Sequence, residues 1–224
     1  MINSLLILLL LALIYISISS KVVSYIYSTA FQAFILGVVA LWSMEEPNIF
    51  AVILVFLETI LIKGLLLPIF LYRILKKHQS ARLIKSLVPD ILNIVLVSLV
   101  IAGSFLLISQ EVGSTKSLFE LTTQQLSFHG FKPLHLAVAI SLIAGGLILL
   151  VTRGQIFTMV VSFTIIENGI FLLTLSVGRE LSALTHIGLL IDFLATILVL
   201  GLFLNKMGFA YSDIMKDKLT QLKD

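Results

Sequence analysis

Residues 49–75 read IFAVILVFLETILIKGLLLPIFLYRIL, an apolar run in which the only charged side chains are Glu58, Lys63 and Arg73. A helix needs about 20 mostly apolar residues to cross a bilayer, so this stretch is long enough to span a membrane. The whole chain of 224 residues is 59% hydrophobic and 12% charged, whereas about a quarter of the residues in a soluble domain are charged. This composition predicts an integral membrane protein and excludes a soluble enzyme, a disordered chain and a nucleic-acid-binding module.

Seven apolar stretches, separated by short polar or charged joints, predict an all-α membrane protein with about seven transmembrane helices. They cover approximately residues 2–20, 22–42, 49–75, 87–109, 133–151, 155–177 and 183–206. We expect one membrane domain in four parts: a four-helix part over 1–109, an external loop over 110–132, a three-helix unit over 133–206 and a cytoplasmic tail over 207–224.

The first two stretches allow other interpretations. A single long tilted helix over both is one alternative, although together they hold about twice the length that a bilayer needs. A cleaved signal peptide is another, but no Lys or Arg precedes the first apolar run, and the segment Ser17–Ser20 lacks a small-x-small cleavage pattern.

The basic residues of the joints divide unequally between the two sides of the membrane. One side receives Lys21, Arg73, Lys76, Lys77, Arg82, Lys85, Arg153, Lys206, Lys216, Lys218 and Lys223, and the other receives Lys116, Lys132 and Arg179. Loops rich in Lys and Arg stay in the cytoplasm. The distribution therefore predicts an external N-terminus and a cytoplasmic C-terminus.

Four ionisable residues fall near the middle of predicted spans: Glu58, Lys63, Glu167 and Asp192. An ionised side chain at that depth costs at least about 2.5–3.5 kcal/mol, so such residues are functional candidates by default, although one of them can also simply fasten two helices. Glu58 and Lys63 are five residues apart, about 140° around an α-helix. The spacing predicts that these two do not pair, and that Glu58 is the fastener.

Neighbouring residues support a site around these charges. In an α-helix Pro68 offers no N–H to the carbonyl of Gly64, so the sequence predicts a helix break beside Lys63. Asn168 and Gly169, directly after Glu167, add an amide and a small residue that would let another helix or water come close. His186 lies nearer the outer end of its span. It is a candidate proton-access group or, more simply, an interfacial histidine.

Helices 1–3 and 5–7 are candidates for two copies of one unit, with helix 4 as a spacer. Residues 61–65, LIKGL, would align with residues 190–194, LIDFL, which places Lys63 opposite Asp192. Gln32 would then correspond to Glu167. Because one spacer helix restores the direction of the chain, the two copies would run parallel.

The chain resembles hydrogenase-4 component E, a membrane subunit of formate hydrogenlyase-type [NiFe] hydrogenases. The resemblance rests on the seven spans, the segment from Lys63-Gly64 to Pro68, the motif Glu167-Asn168-Gly169 and the helix that holds Asp192. The last three helices are similar to the K subunit of NADH-quinone oxidoreductase and the C subunit of Mrp-type antiporters. Glu167 matches the mid-membrane glutamate of the second K-subunit helix. Asp192 takes the place of the glutamate on the third, and Lys63 lies outside the K-like part.

The resemblance implies a non-redox membrane subunit of a redox-driven ion-translocating complex in a prokaryotic inner membrane. Its partners would be antiporter-like and quinone-subunit-like membrane subunits and, indirectly, a soluble hydrogenase or other redox arm. Glu167 and Asp192 would relay protons or sodium ions, with Lys63 as their charge partner. We expect no cofactor and no metal, because the chain has no cysteine and its histidines show no metal-ligand spacing. A stand-alone secondary transporter and a purely structural assembly subunit are the alternatives.

Overall fold

The computed structural model describes residues 2–43, 49–77, 88–111, 133–153 and 155–177, and every regular element within these ranges is helical. The elements are α1 (Ile2–Ile18), α2 (Val22–Ser43), α3 (Ile49–Val55), a π-helix (Phe56–Leu66), α4 (Leu67–Lys77), α5 (Asp90–Glu111), α6 (Pro133–Thr152) and α7 (Ile156–Val177). The segments α3, π-helix and α4 follow one another without interruption over residues 49–77.

The helices coincide with the first six predicted spans. Within the described residues, four helices are long and apolar enough to cross a membrane: α2, α5, α6 and α7. The helix α1 is apolar but has 17 residues, and the third predicted span is divided by the π-helix. The predicted seventh span over 183–206 and the tail over 207–224 lie outside the described residues, as does most of the predicted loop over 110–132.

The helix α2 occupies the centre of the bundle and packs against α1, the π-helix and α7, while α6 packs most extensively on α7. By contrast, α5 contacts α1 and α6, and only 22% of its apolar window is buried. Large apolar side chains such as Leu99, Leu106 and Leu107 are exposed on its surface. A helix with this much exposed apolar surface fits a lipid environment and would be insoluble in water.

Glycines let α6 and α7 approach each other to backbone contact. A Cβ on Gly169 would lie 2.9 Å from the backbone nitrogen of Ile143 and 3.0 Å from the carbonyl oxygen of Ala139. A Cβ on Gly146 would lie 3.1 Å from the carbonyl oxygen of Ser162. Small residues at helix crossings are the usual means of close packing in membranes, and Gly169 therefore does admit another helix, as its sequence context predicted.

We expect the substitution Gly169→Ala to destabilise the protein by about 1–3 kcal/mol, because the added methyl group would collide with backbone atoms that cannot move aside. The matched control is Gly103→Ala on α5, where a Cβ would meet nothing within 4 Å. Thermal unfolding in detergent measures both variants. A Gly169→Ala protein as stable as Gly103→Ala would contradict the close packing described above.

The π-helix lies between two ordinary helical segments and packs on α2. Its last turn is marked by a hydrogen bond from the N–H of Leu67 to the carbonyl of Ile62, five residues earlier. The hydroxyl of Thr59 donates to the carbonyl of Val55 within the same segment. Gly37 of α2 makes room for this wider helix, because a Cβ there would lie 2.9 Å from the Thr59 hydroxyl oxygen.

Candidate functional site

Three of the four predicted mid-membrane charges lie within the described residues, and they meet inside the bundle. The ammonium nitrogen of Lys63 lies 3.7 Å from Oε1 of Glu58 and 3.7 Å from Oε2 of Glu167. All three side chains are buried. We call Glu58, Lys63 and Glu167 the charge triad. It joins the π-helix to α7.

The prediction that Glu58 and Lys63 do not pair is wrong, because the two side chains lie 3.7 Å apart. The 140° separation assumed an α-helix, but residues 56–66 form a π-helix. In a π-helix the backbone hydrogen bond joins residues five apart, so side chains at i and i+5 lie on the same side. The π-helix thus brings Glu58 to Lys63, and Lys63 then reaches Glu167 on another helix.

The predicted helix break at Gly64 and Pro68 is also corrected. The chain continues as a helix through both residues, and the change is from π-helical to α-helical hydrogen bonding at Leu67. The N–H of Leu67 donates to the carbonyl of Ile62, and Pro68, the next residue, has no N–H to donate. A side chain at Gly64 would be crowded by its own helix, because a Cβ there would lie 3.3 Å from the carbonyl oxygen of Thr59.

The charges of the triad do not cancel. Two carboxylates share one ammonium group, so the three groups carry a formal net charge of minus one when all are ionised. Net charge away from water is costly, and the uptake of one cation, such as a proton or a sodium ion, would neutralise the triad. The arrangement is therefore chemically suited to bind and release a single positive charge.

The other polar candidates take different positions. Gln32 is fully buried on α2, and its Nε2 donates to the carbonyl of Leu9 on α1 at 3.4 Å. Asn168 is fully buried beside Glu167, and neither its amide nitrogen nor its oxygen has a hydrogen-bond partner within the described residues. Asp192 and His186 lie outside the described residues.

A second charged cluster, which the sequence did not predict, joins four helices at one end of the bundle. Arg153 directly follows α6 and is fully buried. Its Nη2 lies 3.0 Å from Oδ1 of Asp90 at the start of α5 and donates to the carbonyl of Ser17 in α1 at 3.0 Å. The guanidinium also lies 6.0 Å from the ring centre of Tyr25 in α2. We call this end of the molecule the Arg153 end.

The sequence contains a partial signal for this cluster. Arg153, Lys21 and the basic residues before α5 belong to joints that the charge distribution placed on one side of the membrane. The contacts among Arg153, Asp90 and Ser17 bring three of these joints together. What the charge distribution cannot indicate is that one of the counted basic side chains turns inward and becomes buried.

Removing the carboxylate of Asp90 should weaken the Arg153 end. We expect the variant Asp90→Ala to lose about 1.5–3 kcal/mol of stability, because it leaves a buried guanidinium without its charged partner. The control Ser20→Ala removes only the hydroxyl that donates to Asp90 at 3.2 Å, and should change stability by less than about 0.5 kcal/mol. Unfolding curves in detergent measure the stability of both variants. Equal stability would contradict a stabilising role of the ion pair between Asp90 and Arg153.

Within the described residues, each of these two clusters brings together groups from helices that are far apart in the sequence. The charge triad lies in the interior, between the π-helix and α7, and the Arg153 cluster lies at one end of the same bundle. The chain matches no protein-family model, and no curated protein or solved structure is significantly similar to it.

Proposed function

We propose that this chain is a membrane subunit of a redox-driven ion-translocating complex, of the hydrogenase-4 or complex I-like kind, in a prokaryotic inner membrane. In this proposal it contributes the charge triad to the path of a proton or sodium ion. The observation that carries the proposal is the contact of Lys63 with two buried carboxylates on different helical segments.

The geometry favours ion transfer over simple helix fastening for an energetic reason. A fastener needs only one pair of opposite charges, whereas here one buried ammonium group contacts two buried carboxylates. In the triad Lys63 lies at the same distance, 3.7 Å, from Glu58 and from Glu167. When a proton neutralises one carboxylate, Lys63 can still form an ion pair with the other. The protonation of one glutamate therefore affects the protonation of the other.

The predicted loop over 110–132 and the predicted tail over 207–224 are short, so the proposal assigns the redox centre to partner subunits. In the proposal, the energy for transport comes from partner subunits. These comprise antiporter-like and quinone-subunit-like membrane proteins together with a soluble redox arm. Asp192, which aligns with the second relay carboxylate of the K subunit in the resemblance described above, would extend the path beyond Glu167.

Membership of a complex is tested by extracting the tagged chain from its native membranes in a mild detergent and identifying the accompanying proteins by mass spectrometry. Recovery of antiporter-like subunits together with a [NiFe] hydrogenase or a related redox arm is the expected result. Recovery of the chain alone, stable and monodisperse, would contradict the proposal. Ion uptake by the purified chain in liposomes would then identify a stand-alone transporter.

A further inference from the structure

Several polar side-chain atoms inside the bundle have no hydrogen-bond partner within the described residues. They include the hydroxyl of Tyr25 and Oε1 of Gln32 on α2, the hydroxyl of Ser162 and both amide atoms of Asn168 on α7, and both amide atoms of Asn93 on α5. All five residues are buried. Buried polar groups are almost always hydrogen-bonded, and internal water is the usual partner where protein atoms supply none.

These atoms form a series that begins at the Arg153 end and leads inward. With a rise of 1.5 Å per residue, Tyr25 lies about 5 Å and Gln32 about 15 Å from the start of α2. On α7, Ser162 lies about 9 Å and Asn168 about 18 Å from the start of the helix, and Glu167 of the charge triad lies about 17 Å in. Because α2 packs against α7, polar atoms without protein partners occur at successive depths from that end to the triad.

The opposite half of the same two helices is different. Beyond Gln32, α2 reads AFILGVVALW over residues 33–42, in which the only polar side-chain group is the indole N–H of the exposed Trp42. On α7 beyond Asn168, the hydroxyls of Thr174 and Ser176 donate to carbonyls of their own helix, at 3.1 Å and 2.7 Å. Along α2 and α7, the polar atoms without protein partners thus lie in the half nearer Arg153, except for the hydroxyl of Ser43 at the last residue of α2. The ten residues 33–42 separate Ser43 from Gln32 and contribute no such atom.

The Arg153 end also supplies a connection to the aqueous phase. The side chain of Asp90 is 43% exposed, while its ion-pair partner Arg153 is completely buried. Three residues after Asp90, and therefore on the same side of α5, lies the buried amide of Asn93. Asp90 is thus in contact both with solvent and with the buried guanidinium of Arg153, and the surface at Asp90 is where we expect water to enter the bundle.

We propose that water enters this bundle from the Arg153 end alone and reaches the charge triad along α2 and α7. The triad thus exchanges its ion with the side of the membrane that the Arg153 end faces, which the charge distribution predicts to be the cytoplasm. The role of the water path in ion exchange rests on the proposed function, whereas one-sided water access can be measured without it.

The test uses the absence of cysteine from the natural chain. Single cysteines are introduced by Ser162→Cys and Gln32→Cys in the native complex, and oriented membrane vesicles of both polarities are treated with silver ions, which reach a buried thiol only through water. The thiols still free are counted with a fluorescent maleimide after denaturation. We expect both variants to lose most of their maleimide-reactive thiol when the Arg153 end faces the reagent, and little in vesicles of the opposite polarity.

Leu36→Cys is the matched control, because Leu36 is fully buried on α2 and lies about 11 Å from the other end of that helix. Its thiol should stay free in both vesicle polarities. Failure of silver to react with Ser162→Cys and with Gln32→Cys from either side would overturn the proposal, as would equal reaction of Leu36→Cys.

One further variant, Glu167→Gln, separates this inference from the proposed function. Normal ion translocation in Glu167→Gln, combined with silver reaction from the Arg153 end, would retain the water path and reject the proposed function. Loss of translocation in Glu167→Gln without any silver reaction at Ser162→Cys and Gln32→Cys would reject the water path alone. Should Ser162→Cys fail to fold, Gln32→Cys carries the test, because the amide of Gln32 makes a single long hydrogen bond of 3.4 Å.

Discussion

Replacing Lys63 with methionine is expected to destabilise the folded protein by about 3–5 kcal/mol, the cost of breaking a buried ion pair by removing one partner. Methionine has nearly the same length as lysine and retains most of its apolar contacts, so the loss reports the charge. Two buried carboxylates, Glu58 and Glu167, would then share a site without the ammonium that lies 3.7 Å from each. Thermal or denaturant unfolding of the purified chain in detergent measures the effect.

The chain offers a control for this substitution in the same continuous helix. Lys76 is exposed in α4, so Lys76→Met should change stability by less than about 0.5 kcal/mol. The triple variant Lys63→Met, Glu58→Gln, Glu167→Gln removes every charge of the triad while keeping its size, and should recover most of the lost stability. Equal stability of Lys63→Met and Lys76→Met would contradict the ion contacts described for Lys63.

The second large effect concerns ion translocation. In the native complex, Glu167→Gln is expected to lower ion translocation by about a hundredfold or more, the scale on which a positioned proton-transfer group contributes. Glutamine has the shape of glutamate but can neither release a proton nor carry the negative charge that attracts a cation. The measurement is redox-driven ion uptake into inverted membrane vesicles, normalised to the amount of assembled complex.

Glu167→Asp provides the conservative comparison, because it keeps the carboxylate and shortens the side chain by one methylene. We expect it to retain a measurable part of the activity that Glu167→Gln loses. Full translocation by Glu167→Gln and by Lys63→Met would reject the ion pathway and leave helix fastening as the role of the triad. Loss of the assembled complex in Glu167→Gln, with normal transport by whatever assembles, would instead assign the triad to assembly.

Much of the fold follows from the sequence because lipid imposes simple requirements. Apolar stretches of about 20 residues separated by charged joints predicted the helices that the structure contains, and Gly169 was correctly interpreted as a place of close approach. Mid-membrane charges were equally visible, because ionisable residues are rare in such stretches. Lys63 and Glu167, selected on depth alone, do meet in the structure.

The errors arise because a sequence pattern read at 3.6 residues per turn reveals neither a local change of helix type nor the tertiary contacts of a side chain. The separation of Glu58 from Lys63 was calculated for 3.6 residues per turn, and the π-helix invalidated it. Gly64 and Pro68 did indicate irregular backbone, but not its kind. Arg153 was counted as an aqueous charge, because a sequence does not disclose that Asp90 and the carbonyl of Ser17 converge on it.

The pairing of Glu58 with Lys63 inside one helix has a consequence for biosynthesis. A membrane protein is threaded into the bilayer as it is made, and each segment must partition into lipid before later segments exist to shield it. Residues 49–77 carry both the carboxylate and the ammonium of this pair, so the segment can enter the bilayer with these two opposite charges already in contact. Glu167 is synthesised only after α5 and α6, and it meets a lysine that is already in place. Because the wider turn of the π-helix pairs Glu58 with Lys63, this segment can insert into the membrane before α7, which carries Glu167, has been synthesised.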